Sequence, residues 1–207
     1  MAAILDIVGS IIFSGILLLT GIRLNTYIGS CQYQSLFDLR AQQQCTQLGS
    51  IVENDLYKIG YGDTTGMPSI QIADTSTLQF TADIDDNGTL DSVRYYLGRS
   101  RASFKGSNPR HRILYRRFNN RPAVPMDFGV TRFRLQYYDE NGVEDNDTLS
   151  EITAIRVRFD LESCYRSVTA GGSATPGDIR NSKMGGKDTV YNSVHWEQFI
   201  VPKTLHW

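Results

Sequence analysis

The stretch that decides the reading is Ile7–Ile22, IVGSIIFSGILLLTGI, sixteen consecutive residues without a charge. Extended back to Ala2 it gains one charge, Asp6, and it closes at Arg23, the first basic residue of the chain. A helix of about 20 residues spans the roughly 30 Å hydrocarbon core of a bilayer, so this run is long enough to cross one. Secretory signals place basic residues ahead of a shorter apolar stretch, and none stands ahead of this one, which weighs against a cleaved signal. A carboxylate inside an apolar helix is costly and calls for a partner. Near the helix end, the same side chain can instead sit at headgroup level, and both readings of Asp6 stand. Small residues at Gly9, Ser10, Ser14, Gly15, Thr20 and Gly21 let helix backbones approach closely, which leans towards helix–helix assembly.

Beyond Arg23 the helical pattern continues. Leu36, Leu39, Leu48, Ile51, Val52, Leu56 and Ile59 recur at helical intervals among Gln, Arg, Glu and Asp. Gly60 and Gly62 supply a stop before Pro68. The pattern predicts one long helix with three territories along the chain: an apolar membrane or filament-core helix over 1–28, an amphipathic continuation over 29–62, and a β-rich head over 63–207. Gly29-Ser30 marks a weak point between the two helical halves.

From Pro68 onward the period falls to 2. Phe133, Leu135 and Tyr137 alternate with Arg132, Arg134 and Gln136, and Ile155, Val157, Phe159 and Leu161 alternate with Arg156, Arg158, Asp160 and Glu162. Alternation of this kind marks half-buried antiparallel strands. Further strands are predicted at Ile70–Ala73, Leu78–Ala82, Ser92–Leu97, Ile113–Phe118 and Val190–Val201. Asn87-Gly88 and Asn141-Gly142 are hairpin signals in which both central residues can adopt positive φ. Ser167 to Lys187, rich in Gly and Ser, reads as a long surface loop. The fold class expected is α+β, a long helix whose amphipathic half covers the apolar face of an antiparallel sheet.

With 207 residues, 21 Lys+Arg, 22 Asp+Glu and three cysteines, the chain is neither a globally basic nucleic-acid binder nor an acidic disordered polymer. It has no Gly-rich phosphate loop, no H-E-x-x-H and no nucleophile elbow, so nothing points to an enzyme. His111, His195 and His206 show no ligand or triad spacing. Cys31 and Cys45 lie about 21 Å apart on one helix at 1.5 Å per residue and cannot pair within a subunit. Pairing of either with Cys164 is left open.

Taken in order, several short motifs resemble those of type IV pilin-like proteins, with W-type minor pilins and the J-type pseudopilins of type II secretion nearest. They are the helix-ending Asp55-Leu56-Tyr57-Lys58-Ile59-Gly60-Tyr61, the Asp/Gly-rich hairpin Phe80–Gly88 followed by Val93-Arg94-Tyr95-Tyr96-Leu97, the strand Leu114-Tyr115-Arg116, and the turn Tyr137-Tyr138-Asp139-Glu140-Asn141-Gly142. Pilins carry Glu as the fifth mature residue after a Gly-Phe cleavage junction; here there is no such junction, and removal of Met1 would make Ala2 the first residue and Asp6 the fifth. The resemblance implies a pilin-like fold and an assembly role for Ala2, Asp6, Gly9, Gly15 and Gly21. Asp6 would neutralise the α-amino group of a neighbouring subunit inside an apolar filament core. It implies as partners copies of the chain and other pilins, with the inner membrane holding the subunit before an extracellular or periplasmic filament forms.

Two further features carry candidate chemistry. Asp83-x-Asp85-x-Asn87-Gly88-x-x-Asp91 copies the first half of a calcium loop, but Arg94 stands where the bidentate Glu belongs, so calcium competes with a plain polar hairpin. From Ser92 to Met126 there are nine basic residues and no acid, whereas Asp127 to Glu162 hold nine acids and four arginines. Arg99, Arg101, Lys105, Arg110, Arg112, Arg116 and Arg117 would form a partner-binding surface for a subunit, an anionic lipid or a nucleic acid. Alternatively, strand pairing brings the basic and acidic segments together within one subunit. Two functions follow: a structural filament subunit, or a membrane-tethered module that never polymerises and binds through the basic 94–121 stretch.

Overall fold

The computed structural model describes residues 2–64, 68–98, 108, 110–144, 148–162, 191 and 193–202. Arg99, Arg101, Lys105, Cys164, His206 and the Ser167–Lys187 loop lie outside these residues. One helix, α1 (Ala2–Tyr57), precedes seven strands: β1 (Ile70–Asp74), β2 (Thr77–Ala82), β3 (Asp91–Leu97), β4 (Arg112–Phe118), β5 (Val124–Tyr138), β6 (Ala154–Glu162) and β7 (Ser193–Ile200). The strands form one antiparallel meander in chain order. The class is α+β.

The helix is 56 residues, about 84 Å long at 1.5 Å per residue. It runs unbroken through Gly29 and Ser30, where the Ser30 hydroxyl donates to the Tyr27 carbonyl at 2.7 Å. Its buried stripe is Ala41, Cys45, Leu48, Val52 and Leu56, continued past the helix end by Ile59, at steps of three and four. Leu36 and Leu39, predicted in this stripe, are 54% and 52% exposed, and Ile51 is exposed too. Leu36 and Leu39 lie before Ala41, where the head begins to cover the helix, and Ile51 falls off the covered face.

The sheet curls. The Leu135 amide donates to the Thr75 carbonyl at 2.8 Å and the Tyr137 hydroxyl to the Asp74 carbonyl at 2.9 Å, which brings the β1–β2 turn onto β5. Phe80, Val93, Tyr95, Leu114, Leu135, Tyr137, Val157 and Phe159 thereby close on the helix stripe in a single core. Strand β5 is longer than its period-2 segment because Gly129, at φ 72°, sits in a register shift that turns one strand between two partners. Its first residues pair with β4 and its last with β6.

The two Asn-Gly turns differ from the expected hairpins. Of each Asn-Gly pair only the glycine, Gly88 or Gly142, takes positive φ, and in the first turn Asp86 does so in place of Asn87. Both are wider loops organised by an aspartate. Asp83 accepts the amides of Asn87 and Gly88 at 3.0 and 2.8 Å, and Asp139 accepts those of Asn141 and Val143 at 2.9 and 2.7 Å. These bonds hold the Asp139 carboxyl below its ordinary range.

Candidate functional site

Among the described residues, nothing covers the helix from Asp6 to Ile28. Large apolar side chains from Ile4 to Leu24 are exposed around the whole helix, Ile4 at 68% and Leu18 at 67%, and Tyr27, Ile28 and Tyr33 extend the uncovered surface. The helix is long and apolar enough to cross a membrane. Asp6 is exposed on this segment. A Cβ added at Gly9, Gly15 or Gly21 would meet no atom within 4 Å. Among the described residues nothing fills the space these glycines leave, although each costs about 1 kcal/mol of helix propensity relative to alanine.

The second half of the helix and the residues just past it are fastened to the head by several contacts. Asp55, buried near the helix end, accepts the Arg116 Nε at 2.7 Å and Nη2 at 3.1 Å, and the Tyr95 hydroxyl at 2.5 Å. Burial, then the Asp55 charge, raises the Tyr95 hydroxyl well above its ordinary value. Burial works against the Arg116 charge, but the bonds and charge of Asp55 overcome it and hold the guanidinium above its usual value. Higher on the helix, Trp196 stacks on Phe159 at 4.7 Å and lies against Gly49, where a Cβ would come within 2.6 Å of the indole. Beyond the helix, Lys58 Nζ donates to the Ile84 carbonyl at 2.7 Å and pairs with Asp86 at 3.3 Å. The Gly60 amide donates to the Thr81 carbonyl at 3.0 Å.

Three of the short motifs therefore meet at one point: Asp55 from the helix end, Tyr95 from β3 and Arg116 from β4. Gly49 has no signal in the sequence, because the aromatic it accommodates lies 147 residues away on β7.

The acidic loop brings ligand oxygens of Asp83, Asp85 and Asp91 within 4.8 Å of one another. Those of Asp83 and Asp91 are already engaged. Asp83 holds two loop amides, while Asp91 accepts the Ile84 amide at 3.3 Å and the Asn119 amide nitrogen at 2.7 Å. Asn87 accepts the Thr89 amide and hydroxyl. These three carboxylates are the groups that could hold a divalent cation, and Asp83 also accepts amides of the loop's own backbone.

The basic stretch divides. Arg110 pairs with Glu162 at 3.0 Å, so strand order brings part of the basic segment onto the acidic one. Arg116, predicted in the binding surface, is paired with Asp55 at 2.7 Å. Arg112 and Arg117 are exposed on β4. Neither protein-family models nor curated proteins give a match to this chain.

Proposed function

We propose that this chain is a structural, pilin-like subunit that assembles through its N-terminal helix into a filament, with the sheet domain facing outward. The observation that carries the reading is the contrast along α1: one face is buried from Ala41 to Leu56, and among the described residues no face is covered from Ile4 to Leu24. Apolar surface on all sides of a helix needs lipid or other helices around it. Membrane insertion stores the subunit, and transfer into a helix bundle keeps the same surface dry. The open space at Gly9, Gly15 and Gly21 suits close approach of neighbouring helices. Asp6 then meets the α-amino group of a neighbour, since two charges in an apolar core are tolerable as a pair.

The test is Asp6→Ala, followed by negative-stain microscopy of sheared surface material with peptide identification. Loss of filaments, with the head folded by circular dichroism, supports the assignment; unaffected filaments sink the pairing. Absence of filaments from the unsubstituted protein favours the membrane-tethered binding module.

A further inference from the structure

Among the described residues, a pair of arginines on the outer face of the head is left without a counter-ion. Arg94 on β3 stands directly opposite Arg117 on β4 in the strand register. Like charges facing each other across a pair of strands destabilise it. The other directly opposed arginines, Arg134 and Arg158, are relieved by Glu197, which accepts the Arg158 Nη2 at 2.5 Å. No carboxylate among the described residues pairs with Arg94 or Arg117. The Arg94 Nε is moreover buried with no hydrogen-bond partner. A buried guanidinium nitrogen left unpaired is costly, and an oxyanion is the partner its fork geometry fits.

The surroundings form a place for one. Gln79, Ser92, Arg94, Arg117, Asn119 and Asn120 line an open cleft of about 390 Å³. That volume lies at the lower end of the roughly 300–1,000 Å³ typical of small-ligand sites. The Arg94 guanidinium lies 5.6 Å from the Tyr96 ring, which in turn stacks on Tyr115 at 5.2 Å. This aromatic bed holds the cation in place. Asp91 borders the cleft, but both its oxygens are committed to Ile84 and Asn119. The walls are polar, so they suit a small hydrophilic molecule and not an apolar one.

We propose that the cleft on the outer face of β3 and β4 binds the oxyanion of a small polar molecule, a carboxylate or a phosphate, clamped between Arg94 and Arg117. The site lies on the sheet, away from the uncovered helix, so the inference does not depend on filament assembly. The test is isothermal titration of the full chain in non-ionic detergent with glucuronate, inorganic phosphate and glucose. Saturable binding of either anion at one site per chain, without glucose binding, is expected, and the tighter of the two identifies the oxyanion. Arg117→Gln, whose side chain is exposed, and Arg94→Gln each weaken it about ten- to a hundredfold, as loss of a charge-assisted bond does. Arg134→Gln leaves it unchanged. Absence of saturable binding of both anions, or equal binding in the Arg94 and Arg117 variants, overturns the proposal. So does loss of self-association in those variants without any anion binding, which would give the arginine pair to a carboxylate of a second copy.

Discussion

Asp55 and Arg116, 61 residues apart in the chain, meet in a two-pronged ion pair at 2.7 and 3.1 Å that ties the end of the helix to the fourth strand. Asp55 is 8% exposed, so the pair is largely shielded from water. Tyr95 completes it from the neighbouring strand. The pair couples the helix end to the head, and in the proposed filament it would let the arrangement of helices set that of the heads.

Breaking a buried pair by removing one partner leaves an uncompensated charge and costs about 3–5 kcal/mol. Arg116 keeps some exposure, so Asp55→Ala and Arg116→Ala should each fall near about 3 kcal/mol in denaturant unfolding. The double variant should lose clearly less than the sum of the two. Additive losses would show that the two side chains do not act as a unit.

Gly49 leaves room for the Trp196 indole, which would stand 2.6 Å from an added Cβ. The ring is also held by its stack on Phe159 and has little freedom to withdraw. Gly49→Ala should cost about 1–3 kcal/mol, as overpacking does, despite alanine's better helix propensity. In a Trp196→Leu background the same change should be neutral or stabilising. A cost that persists without the indole would place the constraint elsewhere.

Burial lowers the pKa of His111 below its ordinary 6.5, with the Glu162 backbone bond and charge opposing. Its Nε2 donates to the Glu162 carbonyl at 3.0 Å in the neutral form. The depressed folded value means that the unfolded chain binds the proton more readily. The stabilisation is therefore complete above pH 6.5 and falls as the pH drops below 6.5 through the folded value, by at most about 1.4 kcal/mol per pH unit. Unfolding at pH 7.5 and pH 5 should show a smaller difference for His111→Gln than for the unsubstituted protein. Equal differences would remove His111 from the acid response.

In the acidic loop, Asp83 is the organising carboxylate, through its bonds to the Asn87 and Gly88 amides. Melting temperatures in calcium and in chelator should coincide, while Asp83→Ala lowers both. A drop on chelation alone would identify a calcium loop among Asp83, Asp85 and Asp91.

The helix and most strands were legible in the sequence because their signals are local. An uncharged run needs no partner to be recognised, and Ala154–Glu162 alternates cleanly enough that β6 coincides with the predicted segment. The Asn-Gly steps marked the turns, but their form depended on Asp83 and Asp139 reaching back to cap loop amides. The basic stretch was visible as charge, but which of its members were free was not. Arg116 and Arg117 are adjacent in the chain and point to opposite faces of β4, one into the Asp55 pair and the other onto the open cleft.

What the sequence determined by itself is therefore the class, an apolar helix leading into an antiparallel sheet, since periodicity is a property of neighbours along the chain. The tertiary structure alone decided where cover begins on the helix, at Ala41 and not at Leu36. It also decided that Gly49 faces an indole and that Arg94 faces Arg117. These relationships join residues on different elements, and only strand register and helix docking bring them within reach.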